Sequence, residues 1–151
     1  MVLEHQVGMT NLLIRAGRVS AERLIEANAR EVADYMLFVD EAVLPEPFQS
    51  TSGFPEKFAE SGLRDRHGRS LRQLDLGKRL MRYPCSYMIY SRVFDGLPGP
   101  AKAAVYARLW DILSGKERDA KYSRLSDADR TAIIEILLET KKDLPSYFRP
   151  L

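Results

Sequence analysis

Residues 125–140 read Leu-Ser-Asp-Ala-Asp-Arg-Thr-Ala-Ile-Ile-Glu-Ile-Leu-Leu-Glu-Thr, and this stretch decides the fold class. Ser126-Asp127-Ala128-Asp129 places a hydroxyl and early carboxylates where a helix start has free N–H groups and a positive dipole end. Ile133, Ile136, Leu137 and Thr140 follow at helical spacing and share one inner face, and the helix ends before Pro145. The same period extends outward along the chain. Pro100 opens a helix whose buried stripe is Val105, Leu109, Ile112 and Leu113, with Ser114-Gly115 as its stop. Leu3, Val7, Leu12, Leu13 and Ile14 predict a first helix broken near Gly17. Ser20 is the expected N-cap of a second, which must stop by Leu44 because Pro45 and Pro47 follow.

The middle of the chain is less regular. Residues 45–69 hold Pro45, Pro47, Pro55, Gly53, Gly62 and Gly68, with a short helix expected over 55–61. Phe48, Phe54, Phe58 and Leu63 predict a loop that is ordered and draped onto the core. Ser70-Leu71-Arg72-Gln73 fits a capping box and predicts a helix to about Arg82. Another is expected from Cys85 to Asp95, closed by Gly96-Leu97-Pro98. No period-two alternation, no Asn-Gly or Asp-Gly hairpin and no internal repeat is present. The expectation is an all-α fold: a compact bundle of five to seven helices in one domain over 1–151, with one long ordered loop.

Composition supports a folded core. The chain has 151 residues, 45% hydrophobic and 29% charged, and a domain of this length buries about two-thirds of its extended surface, so it needs no disulfide or structural metal. The single cysteine, Cys85, excludes an internal disulfide framework, a CxxC pair, a Cys-rich zinc site and a CxxCH haem attachment. There is no HExxH, GxSxG, GxxxxGK[ST] or GxGxxG. No run of 18 apolar residues is present, so no membrane insertion is expected. The opening VLEHQVGMTNLLIRAG lacks the pattern of a signal peptide. It also enters its apolar period with no N-cap ahead of it, which predicts a fragment of a longer protein and leaves that protein's compartment open.

Net charge is only +2, yet it is unevenly spread. Residues 64–82 carry seven cations against two anions, a net of +5, whereas residues 31–60 carry one cation against seven anions, a net of −6. Arg64, Arg66, His67 and Arg69, with Arg72, precede and enter the expected helix at Ser70, where free N–H groups would favour an anion. The alternative is that the acidic and basic blocks pair with each other. Nucleic-acid binding is a weaker reading, because the helix expected from Ser70 has apolar residues on two faces and leaves a narrow basic strip.

Two further constellations bear on chemistry. His5 and Met9 are both haem-iron ligand types, but four apart they share a helix face and cannot be trans ligands of one iron, so packing is the simpler reading. Arg82-Tyr83-Pro84-Cys85-Ser86-Tyr87 concentrates tyrosines beside the cysteine. Tyr83, Tyr87 and Tyr90 would form a stripe extended by Phe94. Cys85 at a helix start could be an activated thiol or a small buried residue.

The blocks RSLRQLDLGKRLMRYPCSYMIYSRVFDGLP, YARLWDILSGK and LSDADRTAIIEILLETKKDLPSYF, with VLEHQVGMTNLLIRA and DYMLFVDEA upstream, resemble the C-terminal region of large uncharacterised proteins from environmental bacteria. That resemblance implies no catalytic residue. The expected function is that of a structural or ligand- or partner-binding module of a larger bacterial protein, with a possible anion-binding surface at the Arg-rich loop and no cofactor. Its partner would be the remainder of the parent polypeptide or another protein. A redox or metal- or haem-associated part of a larger exported enzyme, centred on His5, Met9, Tyr83 and Cys85, is the alternative; weak nucleic-acid binding is another. Oligomeric state is left open.

Overall fold

The computed structural model describes residues 1–47 and 49–151, so Phe48 lies outside the described residues. Among them are six α-helices and no strand: α1 (Val2–Gly17), α2 (Glu22–Met36), α3 (Phe54–Glu60), α4 (Arg92–Asp95), α5 (Gly99–Leu113) and α6 (Asp127–Thr140). The all-α reading is correct. Two 3₁₀ turns, Tyr87–Tyr90 and Ala120–Tyr122, complete the regular structure. Among the described residues no helix is long and apolar enough to cross a membrane.

The four long helices form the frame. α2 packs against both α5 and α1, and α6 against α5. Their inner faces are Met9, Leu13 and Ala16 on α1, Val32, Ala33 and Met36 on α2, Val105, Leu109 and Ile112 on α5, and Ile133, Ile136 and Leu137 on α6, all nearly inaccessible. α6 begins with a reciprocal capping box: Asp129 N donates to Ser126 Oγ at 3.0 Å and Ser126 N to Asp129 Oδ2 at 3.3 Å. The buried Arg130 guanidinium donates to the Ile112 carbonyl in the last turn of α5, where the dipole favours a cation.

Two expectations for α2 are corrected. Ser20 is not a cap; Ala21 is the N-cap of α2, and no side chain bonds there. α2 stops at Met36, within the bound expected at Leu44. It closes in a Schellman motif: Val39 N donates to Asp34 O at 3.0 Å and Phe38 N to Tyr35 O at 3.2 Å. The left-handed residue is Phe38, φ 55°, where glycine is usual. The prolines at 45 and 47 are therefore not what ends the helix.

The larger corrections lie between residues 70 and 95. The expected helix over 70–82 is absent. Ser70 and Gln73 do form one turn, with Ser70 N donating to Gln73 Oε1 at 3.0 Å, but Ser70 Oγ accepts from Arg72 N and the turn does not propagate. The chain instead folds back on itself. Arg82 N donates to Gln73 O, Asp75 N to Leu80 O and Leu76 N to Arg79 O, around an isolated antiparallel bridge between Leu74 and Met81. This hairpin buries Leu71, Leu80 and Met81 together and keeps Gly77 out of a helix interior, where it would cost about 1 kcal/mol.

The single helix expected over 85–95 is two short pieces, Tyr87–Tyr90 and α4, because Ser86 and Ser91 each cap their own turn. Ser91 is extended between them, so the tyrosines do not form one helical stripe. In the long loop, α3 spans Phe54–Glu60 much as expected. Phe58 packs on the core and Phe54 stacks on it at 5.4 Å, but Phe54 and Leu63 are about half exposed.

Candidate functional site

The basic block is held apart by its own partners. Asp65 is buried and accepts from His67 N, Arg69 N and Arg69 Nε at 2.7–3.0 Å, closing the turn around Gly68. Burial alone would raise its pKa, but these hydrogen bonds outweigh it and hold the carboxyl below its usual range. Arg69 also pairs with Glu135 at 2.7 Å, and Arg66 with Glu139 at 2.9 Å. Arg64 donates to the Gly68 carbonyl. Arg72 lies over the rings of Phe58 and Tyr87 at 5.1 and 4.8 Å and donates to Ser61 Oγ. His67 is exposed.

No helix begins at Ser70, so its free N–H groups are not there to join these side chains. Arg79 is bidentate on Asp129. Arg66, Arg69 and Arg79 of the basic block thus turn to α6, whereas in the acidic block Glu31 turns to Arg15 and Asp34 to Lys121 and the Tyr122 hydroxyl.

The second constellation is brought together from distant positions. His5 is only 8% exposed, sandwiched between Tyr35 (centroids 5.0 Å, 6°) and Phe38 (4.3 Å, 24°). Its Nε2 is hydrogen-bonded to Ser86 Oγ at 2.8 Å across 81 positions of sequence. Burial lowers the imidazole to a pKa of about 4, so it is neutral at pH 7. Ser86 is wholly enclosed; its Oγ also accepts from Met88 N, and its N–H donates to the Met36 carbonyl at the end of α2.

Gly8 makes the sandwich possible, since a Cβ there would fall 2.2 Å from Tyr35 Oη. Met9 is entirely in the core. Cys85 is fully buried beside these groups, precedes a 3₁₀ turn rather than an α-helix, and has its thiol pushed up to about 12 by burial. Tyr83 packs at the edge of the core, with Arg82 over its ring at 5.7 Å, and Tyr87 stands edge-on to Phe58. Among the described residues no three His, Cys, Asp or Glu side chains are grouped to hold a metal ion.

The histidine sandwich forms part of a cleft of about 650 Å³. α1 contributes Glu4, His5 and Leu12, α2 contributes Glu31, Asp34 and Tyr35, and residues 38–45 with Leu80 complete the walls. The strip 38–43 is a partition, because a second cleft of about 530 Å³ lies beyond it, lined by Lys78, Arg79, Lys121 and Arg124 among others. Neither cleft is lined by Arg64, Arg66, Arg69 or Arg72. In the first cleft the carboxylates differ. Asp34 is engaged by Lys121 and Tyr122, whereas Asp40 is exposed. Glu41 accepts from Leu80 N at 3.3 Å. Burial raises its pKa even though that bond and the charges of Arg79 and Arg124 oppose the rise.

Sequence reading singled out His5 but not Tyr35, Phe38, Ser86, Asp40 or Glu41 as its companions. The available signal was the apolar run 35–39 directly before the acidic pair Asp40-Glu41, which is unusual at a helix end. No protein-family model, no curated protein and no solved structure matches this chain.

Proposed function

We propose that this domain is a ligand-binding module of a larger protein, and that its ligand occupies the cleft between α1, the end of α2 and residues 38–45. The observation that supports this most is Phe38. A bulky residue at positive φ costs roughly 1–2 kcal/mol, and here that conformation sets its ring against His5 in the wall of a concave, mostly apolar site. The cleft is also within the size range of small-ligand pockets. The resemblance to the C-terminal region of large bacterial proteins supports placing the module within a longer chain.

A binding role fits the chemistry better than a hydrolytic one. Ser86 is enclosed and His5 is stacked on both faces, so the pair works as a brace. An anion-binding role at the Arg-rich loop has less support, since Arg66, Arg69 and Arg72 are each held by protein groups.

The uncharged solvatochromic dye Nile red tests the reading. Its emission should shift to the blue with the wild-type protein and should do so much less with Ala42→Trp, which adds bulk at an exposed position of the cleft wall. Leu3→Ser, on the outer face of α1, should leave the shift unchanged. Dye binding that is insensitive to Ala42→Trp would overturn the assignment.

A further inference from the structure

We propose that the cleft selects a small organic cation, an alkyl- or aryl-ammonium whose apolar body packs on Tyr35 and Phe38 while its charge faces Asp40 and Glu41. This deepens the reading above and rests on it. The walls come first: Leu12, Phe38, Val39 and Leu44 offer a body of a few carbons a surface to bury. His5, nine-tenths buried in that wall, uses Nε2 on Ser86, and its Nδ1 makes no hydrogen bond among the described residues.

Charge then decides the class. Every charged side chain of the described lining is a carboxylate, and none is a lysine or arginine. His5, the one side chain of the described lining able to carry positive charge, is held neutral by its burial. An anion would meet net repulsion. A neutral ligand would deepen the desolvation of Glu41 without offsetting it, whereas a cation beside that half-buried carboxylate offsets it. The aromatic rings add cation–π attraction for the same sign of charge. Across the partition the second cleft mixes Lys78, Arg79, Lys121 and Arg124 with Glu41, Asp75 and Asp129, so the all-carboxylate lining belongs to the first cleft and not to the second.

Three probes of one shape test the proposal on the full chain by NMR titration at pH 7: phenethylammonium, 2-phenylethanol and 3-phenylpropanoate. Phenethylammonium should shift the His5, Tyr35 and Phe38 resonances saturably and bind about fivefold tighter than the alcohol, with the carboxylate weakest. The Asp40→Asn/Glu41→Gln variant should bring cation and alcohol to equal affinity. Asp40→Asn alone, at an exposed position, should give part of that loss and serves if the double variant does not fold. Equal or tighter binding of the alcohol by the wild-type protein at the same residues would overturn the cation class while leaving the cleft as the site. Saturable cation binding that is unchanged in both variants would likewise overturn it. If no probe saturates these three residues, the cleft reading falls too.

Discussion

The helical frame and the stretch between residues 61 and 98 are ordered by different means. In the frame, order comes from area: apolar faces of α1, α2, α5 and α6 meet, and backbone groups are satisfied within each helix. In the middle stretch few backbone groups have regular partners, so side chains supply them. Asp65 closes one turn, Ser86 and Ser91 cap two others, and Gln73 a fourth. Arg69 and Arg79 then tie the segment to Glu135 and Asp129 on α6. A frame built on area tolerates exchange of one apolar residue for another of similar volume. A segment built on individual polar contacts does not tolerate loss of any one of them, although each contributes less.

Substitutions sharpen that contrast. Leu109→Ala, at a fully buried frame position, should lower unfolding stability by about 3 kcal/mol in urea denaturation. Asp65→Ala should cost about 2–3 kcal/mol, because three donors lose their acceptor. Amide exchange should show that loss concentrated over 65–73. A uniform loss across the frame would break the distinction. Because the folded-state pKa of Asp65 lies below its ordinary value, its contribution is present above that value and is lost as the pH falls through the acid range.

His5 joins the two regions and gives a third test. Its folded pKa of about 4 lies below the ordinary 6.5, so the unfolded chain binds the extra proton first. Stability should therefore fall as the pH drops from 6.5 to 4, by on the order of 2 kcal/mol once the partly solvated cleft edge is allowed for. His5→Phe should flatten that window in pH-dependent denaturation and leave the steeper carboxylate region below it. The smallest effect is expected from Gly8→Ala. Its gain in helix propensity is about 1 kcal/mol, and displacement of Tyr35 offsets it. Stability should barely change, while the ring-current shifts of the His5 protons collapse.

The legible parts of the fold were those whose signals are local. Ser126 with Asp129, Pro100 and the stripes of α5 and α6 read directly, because cap and period lie within one turn of each other. Ser70 with Gln73 shows the limit of such signals. The local bond forms, yet continuation depends on where Leu71, Leu80 and Met81 can be buried, which is a tertiary property. The cause of the end of α2 is not legible in the sequence, because Phe38 occupies a position where only glycine or asparagine would announce the turn. The basic and acidic blocks were visible, but their partners Glu135, Glu139 and Arg15 lie on helices far away in sequence. Of the cleft, His5 stood out for its rarity, and the fold alone brings Ser86 and Phe38 to it.

Cys85 turns this architecture into a clock. It is the chain's single thiol and it sits enclosed at the seam between frame and middle stretch, next to the serine that braces His5. A thiol reagent can reach its sulfur only when that seam parts, so the rate of labelling under native conditions counts openings of the seam one molecule at a time. Comparing that rate with the rate of global unfolding would show whether the seam opens by itself or only with the whole molecule.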